Sequence, residues 1–161
     1  MIYTPSNSFT RPADTTQYGA NDLVANSTTA ASVTPLKWGI NGSGRTGRIR
    51  GVRLYKSDKT VTLASFKVYI FGADPGVPTN GDNGALAIAS AANFLDVVTI
   101  DLATGAFAGG TTGVMKRTGS LDIPFNFPDL TGKLYGLIQA TAAYTPASGE
   151  TFTATLEIEV A

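Results

Sequence analysis

Residues 150–160, Glu-Thr-Phe-Thr-Ala-Thr-Leu-Glu-Ile-Glu-Val, alternate without a break. Phe152, Ala154, Leu156, Ile158 and Val160 fall on one side, and Thr151, Thr153, Thr155, Glu157 and Glu159 on the other. A period of two marks a strand with one buried face. The same period places strands at Leu36, Trp38 and Ile40, at Phe66, Val68 and Ile70, at Val98, Ile100 and Leu102, and along 134–142. Shorter apolar stretches at Leu23-Val24, 114–117 and 121–123 read as minor strands.

Residues 48–56 alternate too, but the phase slips at Gly51. Before it, Ile49 and Gly51 oppose Arg48 and Arg50; after it, Val52 and Leu54 oppose Arg53 and Tyr55. A glycine at a phase slip predicts a β-bulge, and the slip is expected to split the arginine row across two faces. Ala85–Asn93 is open between a short helix, which its alanines favour, and an edge strand, which Leu86 and Ile88 favour. Residues 72–84, with two prolines and four glycines, read as a long loop, and Pro124 and Pro128 frame an exposed aromatic loop at Phe125-Asn-Phe127. Residues 1–16 read as an extended N-terminal arm whose anchors are Ile2, Tyr3 and Phe9, and 17–161 as one domain. The total is about eight strands, which predicts an all-β jelly-roll sandwich.

Gly42-Ser-Gly-Arg-Thr-Gly47 matches the G-x-G-x-x-G spacing of a dinucleotide loop. That loop needs a helix N-terminus behind it to meet the pyrophosphate, and here a strand follows, so the glycines are assigned to a turn. The 161 residues contain no cysteine and no histidine. Disulfides, thiolate metal sites and Cys nucleophiles are thereby excluded, and so are the usual general base and the commonest metal ligand. The expectation is a protein that is not an enzyme, holds no metal and needs no cofactor. No apolar run reaches the roughly 18 residues of a membrane span, and residues 1–8 do not resemble a secretory signal.

Net charge is zero but unevenly spread: Lys37 to Lys67 holds eight basic residues against one acid. Arg45, Arg48, Arg50, Arg53 and Lys56 are therefore either a surface for an anionic partner or a sheet face paired with carboxylates from other strands. With no net positive charge, direct nucleic-acid binding is not expected. Glu157 and Glu159 share a face, but as the solvent face of a sandwich rather than a glycosidase pair. Asp74, Asn80, Asp82 and Asn83 offer oxygen ligands in a loop without the calcium-binding spacing, and read first as turn chemistry.

The strings Arg11-Pro-Ala-Asp-Thr-Thr-Gln-Tyr-Gly-Ala-Asn-Asp-Leu-Val-Ala25, Thr79-Asn-Gly-Asp-Asn-Gly84 and Ala143-Tyr-Thr-Pro-Ala-Ser-Gly-Glu-Thr-Phe152 resemble the head decoration, or cement, proteins of tailed bacteriophages. The resemblance runs from about Arg11 to the C-terminus. It implies a jelly roll on the outer surface of the virion capsid, binding across major capsid protein subunits as a dimer or trimer. On that reading Ile2, Tyr3 and Phe9 dock on a neighbour and Arg45, Arg48, Arg50 and Arg53 face an acidic capsid surface. The competing expectation is a carbohydrate- or receptor-binding module of a phage fibre or tip, with Phe125 and Phe127 as its sugar platform.

Overall fold

A computed structural model describes residues 1–40, 46–127 and 132–160. The described residues form ten strands and one 3₁₀ turn (Ala30–Ser32), with no α-helix. The strands are β1 (Ile2–Tyr3), β2 (Ser6–Thr10), β3 (Leu23–Val24), β4 (Leu36–Gly39), β5 (Thr46–Lys56), β6 (Ser65–Phe71), β7 (Phe94–Asp101), β8 (Val114–Asn126), β9 (Lys133–Ala140) and β10 (Thr151–Val160). Two five-stranded antiparallel sheets result. In the first, β1 and β2 share one edge of β10, followed by β5 and β8; in the second, β3 and β4 share one edge of β9, followed by β6 and β7. Counting each shared edge as one position gives eight positions, in which first pairs with last, second with seventh, third with sixth and fourth with fifth. A ribbon paired in that way and rolled into two sheets is a jelly roll. The fold is the one the alternation predicts.

The inner faces meet in one core. Trp38, Phe66, Ile70, Ile100, Leu134 and Ile138 come from one sheet, and Ile49, Leu54, Phe152, Leu156 and Ile158 from the other. The Trp38 indole N–H reaches across and donates to the Ala154 carbonyl at 2.9 Å, tying the sheets together. Gly136 makes room for it, since a Cβ there would lie 2.4 Å from the indole ring.

One end of the sandwich is sealed by a buried polar cluster. Arg11, only 2% exposed, donates six hydrogen bonds from its guanidinium to Tyr18 Oη, Asp14, Asp82 and the carbonyls of Pro12, Asp14 and Ala147. Asp82 also accepts from Tyr18 Oη at 2.6 Å and from the Ala25 N–H at 2.8 Å. Burial pushes its carboxyl above the ordinary value, and these donors pull it back. Tyr18 stacks on Tyr144, whose hydroxyl bonds both oxygens of Glu150, and Glu150 accepts from Lys56 Nζ at 2.8 Å. Burial raises the phenols of Tyr18 and Tyr144 well above their ordinary value.

Several expectations change. Residues 1–16 are extended, but β1 and β2 pair with the chain's own β10, and Arg11 lies inside the fold. Residues 85–93 are neither helix nor strand: single backbone bonds hold Ala87 to Thr79 and Leu86 to Asn21, which lets Leu86 and Ile88 both lie against the sheet. Residues 114–126 are one strand, with Pro124 tolerated because β8 is a sheet edge. Phe125 and Phe127 are therefore buried core residues and form no exposed platform. Lys56 points inward, because the bulge sets Val52, Leu54 and Lys56 on the core side. Asp82 is held by Arg11, Asp74 accepts from the Gly76 N–H and Asn80 donates to Ala85, so these loop residues perform turn and core duties.

Removing one partner of a buried ion pair leaves the other charge stranded. Lys56→Met is expected to destabilise the fold by about 3–5 kcal/mol in urea unfolding. Lys59→Met, at an exposed position nearby, should change it by less than about 0.5 kcal/mol.

Candidate functional site

The two outer faces of the sandwich differ in chemistry. On the β1/β2–β10–β5–β8 sheet, the outer face begins with a hydroxyl ladder. Ser6 meets Thr155 at 2.5 Å, Ser8 meets Thr153 at 3.1 Å and Thr10 meets Thr151 at 3.0 Å. Past these rows the face becomes ionic, and the bulge controls its layout. Between Glu157 and Ile158 of β10, β5 carries the extra residue Arg50. The extra residue resets the alternation, so Ile49, Val52 and Leu54 all face the core while Arg48, Arg50 and Arg53 all face outward. The slip thus gathers the arginines on one face rather than splitting them. Arg45 lies outside the described residues.

Each of these arginines meets a carboxylate. Arg48 donates to Asp122 at 2.5 Å. Arg50 bonds the other oxygen of Asp122 and donates from Nε to Glu159 at 2.6 Å. Arg53 and Arg117 both grip Glu157, at 2.8 and 2.7 Å from their Nε atoms to Oε1. Gly51 leaves the space for this, because a Cβ there would lie 2.6 Å from Glu157 Oε2. The hydrogen bond from Arg117, with that from Arg53, holds the Glu157 carboxyl below the usual carboxylate range despite its burial. The hydrogen bond that Arg50 donates to Glu159 raises the pKa of its guanidinium. Of the sequence candidates, Arg48, Arg50 and Arg53 are thus brought together, with their charge largely met within the chain. Arg117 and Asp122, which complete the ladder, escaped the sequence reading because β8 was read as two fragments.

Arg48, Arg50 and Glu159 also line a shallow cleft of about 370 Å³ with Thr46, Pro124 and Val160. Ile2 stands 76% exposed at this sheet's edge, whereas Tyr3 and Phe9 pack partly against the core, Phe9 stacked on Phe152 at 5.7 Å.

The outer face of the other sheet carries an apolar patch beside the polar Lys37, Lys67 and Thr99. Leu23, Ala25, Val33, Phe71 and Leu137 form a second hydrophobic cluster there, joined by Tyr69, Leu86, Ile88 and Tyr135. A groove of about 320 Å³ opens on it, floored by Tyr69, Phe71 and Leu137 and walled by Leu86, Ile88, Ala91 and Phe94. Phe94 is 40% exposed and packs against both Tyr69 and Phe71. The polar groups at the rim are satisfied: Tyr69 donates to Gln139 at 2.9 Å, and Gln139 donates to the Asn21 carbonyl. No sequence signal singled out this groove, because its walls come from a segment with no regular period. Among the described residues no cluster of acidic side chains could hold a metal ion, and no helix is long and apolar enough to cross a membrane.

No protein-family profile matches the chain, and no curated protein matches it in sequence. Among solved structures, similarity is found to a chain in the structure of Triatoma virus, at 13% identity and a TM-score of 0.29, covering 99% of this chain and 64% of that one. A chain of the full particle of Israeli acute paralysis virus heated to 63 degrees is similar at 12% identity and a TM-score of 0.27, covering 99% of this chain and 69% of that one. This chain therefore spans about two thirds of the length of those it matches. The jelly-roll assignment rests on its own strand order.

A carboxylate whose folded pKa is depressed contributes stability above its unfolded value, and loses it as pH falls through the folded one. Glu157→Gln should therefore be less stable than the parent at pH 7 by about 1 kcal/mol. The gap should close as the pH drops below the ordinary glutamate value of about 4.3. Denaturant midpoints measured across that range check it; a gap independent of pH would contradict the ion-pair account.

Proposed function

We propose that this protein is a structural component of a bacteriophage virion, a decoration protein that binds the outer surface of the assembled capsid across major capsid protein subunits. The observation that carries this reading is the strand order. The sequence strings at 11–25, 79–84 and 143–152 resemble decoration proteins, that resemblance implies a jelly roll, and the chain has the pairing of one. Fold alone does not fix function, so the surface must supply the rest.

The apolar patch on the outer face of the second sheet supports the reading. A sheet face that only met water would be expected to alternate to polar residues, as the hydroxyl and arginine face does. Here Tyr69, Leu86, Ile88 and Phe94 remain around an open groove, which is what a docking surface presents. In this reading that face lies against the capsid. The arginine ladder stands at the other sheet, where its half-exposed guanidinium groups extend contact to acidic neighbours. Each copy binds the assembled lattice and not the free subunit, so occupancy stabilises the shell by mass action, and repetition multiplies a modest contact. Burial of Phe125 and Phe127 removes the platform on which a sugar-binding role was expected to rest.

Co-sedimentation with assembled heads that lack the protein tests this. The parent chain should pellet with heads and not with unassembled capsid subunits. Phe94→Asp should weaken binding at least tenfold, well beyond any loss of folded protein shown by its unfolding midpoint, which is measured alongside because Phe94 also packs on Tyr69 and Phe71. Reversing charge at Arg48 and Arg50 should flatten the salt dependence of binding. Failure to pellet at any salt, or saturable binding to a glycan array instead, would overturn the proposal.

A further inference from the structure

We infer that residues 1–10 are an exchangeable strand, and that its partner outside the chain is the β10 edge of a second copy of this protein. The first observation is a sharp boundary. No residue from Met1 to Thr10 is fully buried, and the next, Arg11, is 2% exposed and clamped by six hydrogen bonds. The arm is therefore fixed at one end by a rigid anchor and laid on the surface everywhere else.

The second observation is what holds it. The arm pairs in register with β10, Phe9 opposite Phe152, Asn7 opposite Ala154 and Tyr3 opposite Ile158. Its side chains on the core side are Tyr3, Pro5, Asn7 and Phe9, all only half-buried, with a polar Asn in the middle of the row. Backbone ladder bonds and the three hydroxyl pairs supply most of the remaining attachment. The ladder bonds and hydroxyl pairs are all made to β10, and they, like the packing of Tyr3 and Phe9 on the core, are recovered when the arm of another copy lies in the same slot. Exchange of an identical element is a low-cost route to association because the exchanged state keeps every native contact. Ten extended residues beyond the anchor reach about 33 Å, enough to cross to an adjacent molecule.

Mass action sets when this happens. In dilute protein the chain's own arm is at millimolar effective concentration and fills the slot. At high protein concentration, or where copies are held side by side, a neighbour's arm competes. The inference does not rest on the capsid reading, since it is measured on the protein alone.

The absence of cysteine makes the experiment clean. Ser8 and Thr153 face each other with their hydroxyl oxygens 3.1 Å apart, close enough for a disulfide between substituted cysteines. The Ser8→Cys and Thr153→Cys variants are mixed, unfolded and refolded together at high and at low concentration, then oxidised. A disulfide-linked heterodimer that increases at least fivefold from low to high concentration is expected. The control pairs Ser8→Cys with Thr99→Cys, an exposed position on the other sheet. The Ser8→Cys/Thr153→Cys double variant should close its disulfide within one chain in dilute solution. If that closes while the mixed variants give no more heterodimer than the control, the arm never leaves its own chain and the inference fails. If the double variant does not close either, the pairing itself is wrong and the inference fails with it.

Discussion

The buried chain of polar contacts from Asp82 through Arg11 and Tyr18 to Tyr144, Glu150 and Lys56 organises this fold. It gathers Arg11 and Tyr18 from the β2–β3 connection, Asp82 from the long loop after β6, Tyr144 and Glu150 from the β9–β10 connection, and Lys56 from the end of β5. The sheets alone would leave these crossings free at the end of the sandwich. Burying two cations against two carboxylates contributes little net stability compared with an apolar plug, because desolvation offsets most of the attraction. What it contributes is uniqueness: each member has one arrangement in which every buried polar side-chain atom finds a partner, and among the described residues none is left unpaired.

From that sealed end the rest follows. Arg11 fixes where the N-terminal arm begins, and so fixes β2 in register on β10. β10 in turn pairs with the arm on one side and with β5 on the other, and its Ala154 carbonyl receives the Trp38 indole from the other sheet. The bulge at Arg50 then decides the character of the outer face. Without the extra residue, either the arginines before it or those after it would have to enter the core.

The sequence carried the strands and not the cluster, for a physical reason. The alternation of 150–160 and the slip at Gly51 are local, so both were legible residue by residue. Lys56 and Glu150 are 94 positions apart, and Arg11 and Asp82 are 71 apart. A charged residue in a string reads as exposed until its partner is known, and no local period points to a partner so distant. Phe125 and Phe127 misled for the opposite reason. Two prolines suggested a loop, but an edge strand accepts proline, and the alternation of Ile123, Phe125 and Phe127 into the core was the better guide. The apolar groove was invisible because it is a property of a face assembled from four segments.

The arm lies antiparallel to β10, which brings the two chain ends side by side: the Met1 amino group lies 3.4 Å from the Val160 carbonyl. Any polypeptide joined before the first residue or after the last would emerge from one corner, pointing the same way. A fusion partner at either end would meet the same neighbours, and a short peptide could bridge the ends to give a circularly permuted chain opened elsewhere.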